Sequence, residues 1–286
     1  MLPLKNFFVA LACVASTTLT LNAQIRTPAP SPSAKLEQVV GVTKFKVDYS
    51  RPSMRDRKVY GGLVPYGEVW RTGANATTKV SFDSEISFGG KTVPAGDYVL
   101  FSIPGADEWT VILYGDTTVS NAGAYDEKKD VARVQVKPVK LAAPVESFMI
   151  GFDNLRDESA TMFLDWSDVR VAVPLTIDTK SLSAASIEEA LKNMDAWKAG
   201  DYANAAAFYH STGKDRKKAL EWMEKATEMN KNAFWWQYAY AEMLAEQGDK
   251  DAARAASEKS LATAKATAGG DSGYVKRNEE FLAKLK

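Results

Sequence analysis

The hydrophobic period of this chain changes once, near Asp178, from two to between three and four, so two different kinds of core must be built in sequence. Before the change, Phe45, Val47 and Tyr49 alternate with Lys44, Lys46 and Asp48, the pattern of a strand with one buried face. Thr78 to Phe82, Asp97 to Ile103 and Trp109 to Tyr114 are rich in β-branched and aromatic residues, with Gly89-Gly90, Pro94-Ala95-Gly96 and Pro104-Gly105 between them. That arrangement predicts tight antiparallel hairpins. Alternation continues through Val134 and Val136, then Phe148, Ile150 and Phe152, then Met162, Leu164 and Trp166, and closes with Val169, Val171 and Val173. Roughly eight to ten short strands without an intervening amphipathic helix predict a β-sandwich or a jelly-roll-like domain over residues 35–177.

After the change, residues 182–286 are rich in Ala, Glu, Lys and Met and contain no proline, and apolar residues recur as in Ala219, Trp222, Ala226 and Met229. This half is expected to be all-α. It also repeats itself at about 34 residues: Asp215, Ala219 and Ala226 correspond to Asp249, Ala253 and Ser260. The period is similar to that of tetratricopeptide repeats, in which small residues let paired helices approach closely. Gly200-Asp201-Tyr202 with Ala205 reads as a degenerate further copy. Tyr274, Phe281 and Leu285 predict a final helix covering the end of the stack, whose antiparallel helices should begin near Ser186.

Residues 1–23 have the layout of a secretory signal, with Lys5 at the start, an apolar run from Phe7 and Ala23 before the expected cleavage. Ser16, Thr17, Thr18, Thr20 and Asn22 dilute the run, so no transmembrane segment is expected after cleavage. Residues 24–34 read as a proline-rich, mobile linker. Cys13 is the only cysteine and falls within the signal, which excludes disulfides and thiolate metal sites from the mature chain. Its lipidation is disfavoured, because Ala10-Leu11-Ala12 is an imperfect lipobox behind a short apolar stretch. An exported chain without disulfides points to the periplasm or the cell surface of a bacterium.

Lysines plus arginines equal aspartates plus glutamates at 36 each, and the one local basic cluster, Arg51 to Lys58, contains Asp56. Nucleic acid is therefore not an expected partner. No nucleophile elbow, zinc-binding helix or phosphate loop is present in the sequence. The sole histidine, His210, has no acid or nucleophile placed beside it by sequence and reads as a surface or capping residue. No catalytic residue, metal site or cofactor is assigned. Asp153, Asp157, Glu158, Asp165 and Asp168 could in principle supply the paired carboxylates of a glycoside hydrolase, but they read as solvated turn acids. Trp109 and Trp166 read as core, and Trp197, Trp222, Trp235 and Trp236 as packing in or beside the helical stack.

The chemically unusual stretch runs from Tyr49 to Asn75, YSRPSMRDRKVYGGLVPYGEVWRTGAN. Glycines and prolines break it into turns, so its long side chains are displayed from a shaped surface. Arg51, Arg57, Tyr66, Trp70, Arg71 and Asn75 are the candidate ligand-binding residues, with a guanidinium fork beside an aromatic suited to a sugar, a carboxylate or a peptide end. The alternative is that Trp70 plugs the end of the sandwich while the arginines fix loops through backbone carbonyls.

Together with FGGKTVPAGDYVLFSIPGADEWTVIL and AYDEKKDVARVQVKP, this stretch strongly resembles the envelope proteins grouped as domain of unknown function 2911, over roughly Lys35 to Ile177. Arg51, Pro52, Arg57, Gly61, Pro65, Gly67, Trp70, Arg71, Gly73 and Asn75 fall on the signature of that family. The resemblance implies a secreted β-rich domain, often followed by a tail resembling tetratricopeptide repeats, and transfers no reaction. The chain departs from the pattern at Asn121 and Ala122, where relatives commonly carry a tryptophan. The expected function is a noncatalytic envelope protein, in which the sandwich binds or scaffolds an envelope protein or glycan ligand and the helical tail contacts a protein partner. The alternatives are a glycan- or cell-wall-active hydrolase and a purely structural interaction protein.

Overall fold

The computed structural model describes residues 27–267 and 270–285; the signal reading of residues 1–23, Cys13 included, and the first residues of the linker lie outside them. Ten strands form where apolar and polar residues alternate: β1 (Ser33–Val40), β2 (Thr43–Ser50), β3 (Thr78–Phe82), β4 (Ile86–Phe88), β5 (Lys91–Val93), β6 (Gly96–Ile103), β7 (Trp109–Tyr114), β8 (Asp130–Val136), β9 (Val139–Asp153) and β10 (Ser159–Thr176). They pair into a six-stranded sheet of order β1-β2-β3-β6-β7-β8 and a four-stranded sheet of order β5-β4-β10-β9. The pairings are antiparallel, so the β-sandwich expected from the hairpin signals is present. Its core joins Phe45, Val47, Leu100, Trp109 and Leu113 of the larger sheet to Phe148, Ile150, Met162, Leu164 and Trp166 of the smaller.

Three features depart from the sequence reading. β1 starts at Ser33, paired with Ser50 of β2, and the preceding carbonyls of Pro30 to Pro32 accept hydrogen bonds from Arg55, Asn75 and Arg51. That part of the proline-rich stretch is therefore a strap laid on the sandwich rather than a free linker. β6 and β7 are buried on both faces: Val99, Phe101, Ile112 and Tyr114 form a second cluster, packed beneath Val119, Ala122 and Tyr125 of the loop that follows β7. Asp165 is not a solvated turn acid. A register shift near Ser167, whose φ is +54°, lets both Asp165 and Trp166 turn inward. The buried carboxylate is gripped at two oxygens by Arg170, at 2.8 and 2.7 Å.

The second half is helical: α1 (Thr179–Ala190), α2 (Ala199–Thr212), α3 (Arg216–Met229), α4 (Phe234–Glu246), α5 (Lys250–Ala266) and α6 (Tyr274–Lys284). Residues 213–215 join α2 to α3 and residues 247–249 join α4 to α5, connections so short that each pair must fold back on itself. The positions that correspond in sequence take the same places in the fold. Asp215 and Asp249 both cap helix N-termini, accepting from the N–H groups of Lys218 and Ala252. Ala219, Ala226, Ala253 and Ser260 are fully buried. α6 covers α4 through Tyr238, whose ring lies 5.6 Å from Tyr274 and 5.8 Å from Phe281. Trp197 and Trp222 are buried in this core, whereas Trp235 and Met229 are exposed at 41% and 48%. Among the described residues no helix is long and apolar enough to cross a membrane.

Candidate functional site

The segment from Arg51 to Asn75 crosses one open end of the sandwich and is fastened to both sheets. At its start, Ser53 bridges Ser147 of β9, with the Met54 N–H donating to Glu146 and the Phe148 N–H donating to Pro52. At its end, Trp70 bridges Ser102 of β6, exchanging backbone hydrogen bonds of 2.7 and 3.0 Å. Between these anchors two adjacent positions leave no room for a side chain: a Cβ on Gly61, whose φ is +70°, would stand 2.6 Å from the Tyr66 ring, and one on Gly62 would stand 2.4 Å from the Lys58 carbonyl oxygen. Just beyond Trp70, a Cβ on Gly73, at φ +154°, would stand 3.0 Å from the Thr78 hydroxyl. Four residues other than glycine, Arg55, Asp56, Thr72 and Asn75, also take positive φ here, a concentration of backbone strain of the kind that marks functional segments.

Trp70 points inward. It stacks on Trp166 at 5.9 Å and 20°, meets Phe148 edge-on at 5.2 Å, and donates its indole N–H to the Gly73 carbonyl at 3.0 Å. Tyr60 joins the same aromatic group, 4.8 Å from Trp109. Burial, with the Asp165 charge as a lesser cause, raises the Tyr60 phenol well above its ordinary range.

Outside this aromatic floor lies a cavity of about 290 Å³, walled by Leu63, Val64, Pro65 and Val69 and bordered by Arg57, Glu68 and Arg71. Of the six candidate ligand-binding residues, Arg57, Trp70 and Arg71 line it; Arg51, Tyr66 and Asn75 do not. Arg51 donates through Nε to the Phe148 carbonyl at 2.9 Å. Tyr66 lies against Gly61. Asn75 donates to the Ser31 carbonyl at 3.1 Å, tying down the strap. The sequence reading missed Glu68, the aliphatic wall, Ser31 and Trp166. Glu68 and the wall were inside the conspicuous segment, but Trp166 comes from β10 and Ser31 from the strap, and no local pattern announces either.

The arginines combine both roles foreseen for them. Arg57 donates through Nε to Met54 at 3.0 Å and through Nη2 to Ser53 at 2.7 Å, and Arg71 donates through Nη1 to Asn75 at 2.7 Å. Each acceptor is a neutral backbone carbonyl. Among the described residues, the arginines within 4.0 Å of a carboxylate are Arg133 and Arg170, so the charges of Arg57 and Arg71 have no anionic partner.

The other candidates lie elsewhere. Glu158 faces Lys180 at 3.4 Å and, with Asp157, borders a groove against α1 and α2. His210 Nε2 pairs with Glu246 at 2.9 Å across α2 and α4, on the rim of a groove of about 570 Å³ in the helical half. Asn121 caps a short helical turn and Ala122 packs over the outer cluster, so the loop that departs from the family pattern covers the sheet face.

A family model described as "Protein of unknown function (DUF2911)" matches residues 31–175. No curated protein matches the chain. Among solved structures it is similar to PcrH from Pseudomonas aeruginosa, with 20% identity over 36% of this chain and 82% of that one and a TM-score of 0.31. It is also similar to PcrH in complex with the chaperone binding region of PopD, with 21% identity over 36% of this chain and 81% of that one and a TM-score of 0.31.

Proposed function

We propose, from the premise that the chain belongs to the DUF2911 family, that it is a noncatalytic protein of the cell envelope whose sandwich binds a ligand at the Arg57–Arg71 cavity. One observation carries this: two guanidinium groups border a shaped cavity and have no carboxylate within 4.0 Å among the described residues. Both guanidinium groups reach solvent at the cavity border, so an anion entering the cavity can meet them without displacing a protein carboxylate. Capture from soluble envelope material by wild type and by an Arg57→Ala, Arg71→Ala double variant tests it. The bound material should be lost in the variant at unchanged secondary structure, and equal capture would sink the proposal.

A carboxylate-dependent hydrolase needs two acids facing one site, about 5 to 10 Å apart. Among the described residues the cavity is bordered by one, Glu68, while Asp165 is held by Arg170. One observation favours a purely structural role for the segment, namely that Trp70 is 9% exposed and belongs to the core. The double variant separates the two, because a plug without a ligand would capture nothing in either form.

For the helical half we propose a repeat of the tetratricopeptide kind that contacts a protein partner through the groove lined by His210, Met223, Met243, Glu246 and Phe281. The matched caps and buried small residues at a period of about 34 support it. Ala239→Arg, at the groove wall, should abolish crosslinking to that partner while leaving ligand capture intact. Export follows from the N-terminal layout, and mass spectrometry of the mature chain should find Gln24 first; retention of residues 1–23 would contradict it.

A further inference from the structure

We infer that the cavity receives the C-terminal carboxylate of a peptide whose last side chain is aliphatic, an inference that rests on the ligand-binding proposal above. Three properties of the wall select this chemistry. Arg71 engages only Nη1 within the protein, which leaves its Nε–Nη2 edge without an acceptor among the described residues. That edge is a planar pair of donors matching the two oxygens of a carboxylate. Arg57 is the reverse case: its Nε and Nη2 are held by Met54 and Ser53, so it supplies Nη1 and a fixed positive charge.

The second property is the apolar wall of Leu63, Val64, Pro65 and Val69. An inorganic phosphate or sulfate has nothing to place against it, whereas an alkyl group next to a carboxylate does. The third is that the aromatic floor is closed to sugars. Trp70 is 9% exposed, one ring face lies against Trp166 and Phe148 meets it from the side, leaving no broad face for a pyranose to stack on. A volume of about 290 Å³ is at the small end of ligand sites, which run from about 300 to 1,000 Å³, and suits one residue or two.

Glu68 distinguishes a peptide end from a simple fatty acid. As a carboxylate on the same border, it accepts hydrogen bonds and offers none. The amide N–H beside a peptide's terminal carboxylate meets that requirement, and a simple acid has no such donor.

The test is a titration of the full chain, followed by NMR of the Trp70 indole and the Val64 and Val69 methyls. The probes are N-acetyl-alanyl-leucine, its C-terminal amide, 4-methylpentanoate and glucuronate. The free acid should shift all three signals saturably, and the amide should bind at least about tenfold more weakly, the usual effect of losing a charge-assisted pair. Binding should also fall about tenfold in Arg71→Lys, which keeps the charge and loses the fork, and 4-methylpentanoate should bind more weakly than the peptide. Equal binding by acid and amide, or preference for glucuronate, would overturn the inference and leave the ligand-binding proposal standing. Equal or tighter binding by 4-methylpentanoate would overturn the peptide assignment. If none of the four moves these signals the inference also fails, and the capture experiment then decides the broader proposal by itself.

Discussion

Two irregular segments cover hydrophobic surfaces of the same sandwich, and they treat their charges in opposite ways. The loop after β7 lies over Phe101, Ile112 and Tyr114 and ties its covering side chains to acids and to β8: Lys129 meets Asp116 at 2.7 Å, and Arg133 of β8 meets Asp130 at 3.0 Å and donates to the Tyr125 hydroxyl at 2.9 Å. Lys129 and Thr118 hold the Asp116 carboxyl well below the usual range. The segment from Arg51 to Asn75 covers the sandwich end and gives its arginines only neutral carbonyls. Lys129 and Arg133 are thus tied to carboxylates, whereas Arg57 and Arg71 are left with open guanidinium edges that the proposed ligand would fill. Val69 belongs to both surroundings, bordering the cavity and packing against the outer cluster.

The largest expected effect lies beneath the second covering. Trp70→Ala removes a ring packed against Trp166, Phe148 and Trp109 and should cost about 3–5 kcal/mol in urea unfolding. A loss below about 1 kcal/mol would mean that the segment is not part of the core. Next comes Arg133→Ala, which strips Asp130 and Tyr125 of their shared cation and should cost about 1–3 kcal/mol.

A pH ramp follows. Because burial raises the Tyr60 phenol in the folded chain, the native state holds its proton more tightly than the unfolded state. Its contribution is complete below the unfolded value of 10.0 and is lost as pH rises from there toward the folded value. The loss should reach about 1.4 kcal/mol near pH 11. Tyr60→Phe should remove that share of the alkaline slope, and an unchanged slope would show that Tyr60 is not its source. The smallest effect on stability is expected at Arg71→Ala, about 0.5–1 kcal/mol for the loss of one solvent-exposed hydrogen bond to the Asn75 carbonyl. If it destabilises as much as Arg133→Ala, the contrast between the two coverings is broken.

Alternation with period two made the sandwich legible, because each strand such as β2 exposes Lys44, Lys46 and Asp48 while burying its other side. The same rule hid the outer cluster: Tyr98 to Phe101 and Val111 to Tyr114 are continuous apolar runs, which signal burial without saying on how many faces. Asp165 was misread for a related reason. A register shift turns two successive side chains inward, and sequence spacing does not show such shifts. Within the candidate site, residue types located the segment but not its division of labour. Arg51 and Asn75 serve the scaffold and Arg57 and Arg71 border the cavity, a distinction set by which carbonyls the fold brings within reach of each side chain.

The most direct test places Arg71→Ala beside Arg133→Ala in one capture experiment on the same envelope fraction, with both variants first shown to be folded. The account predicts that Arg133→Ala, though less stable, retains the bound material and that Arg71→Ala loses it. Retention by both variants would contradict the claim that the unpaired arginines of the sandwich end hold a ligand.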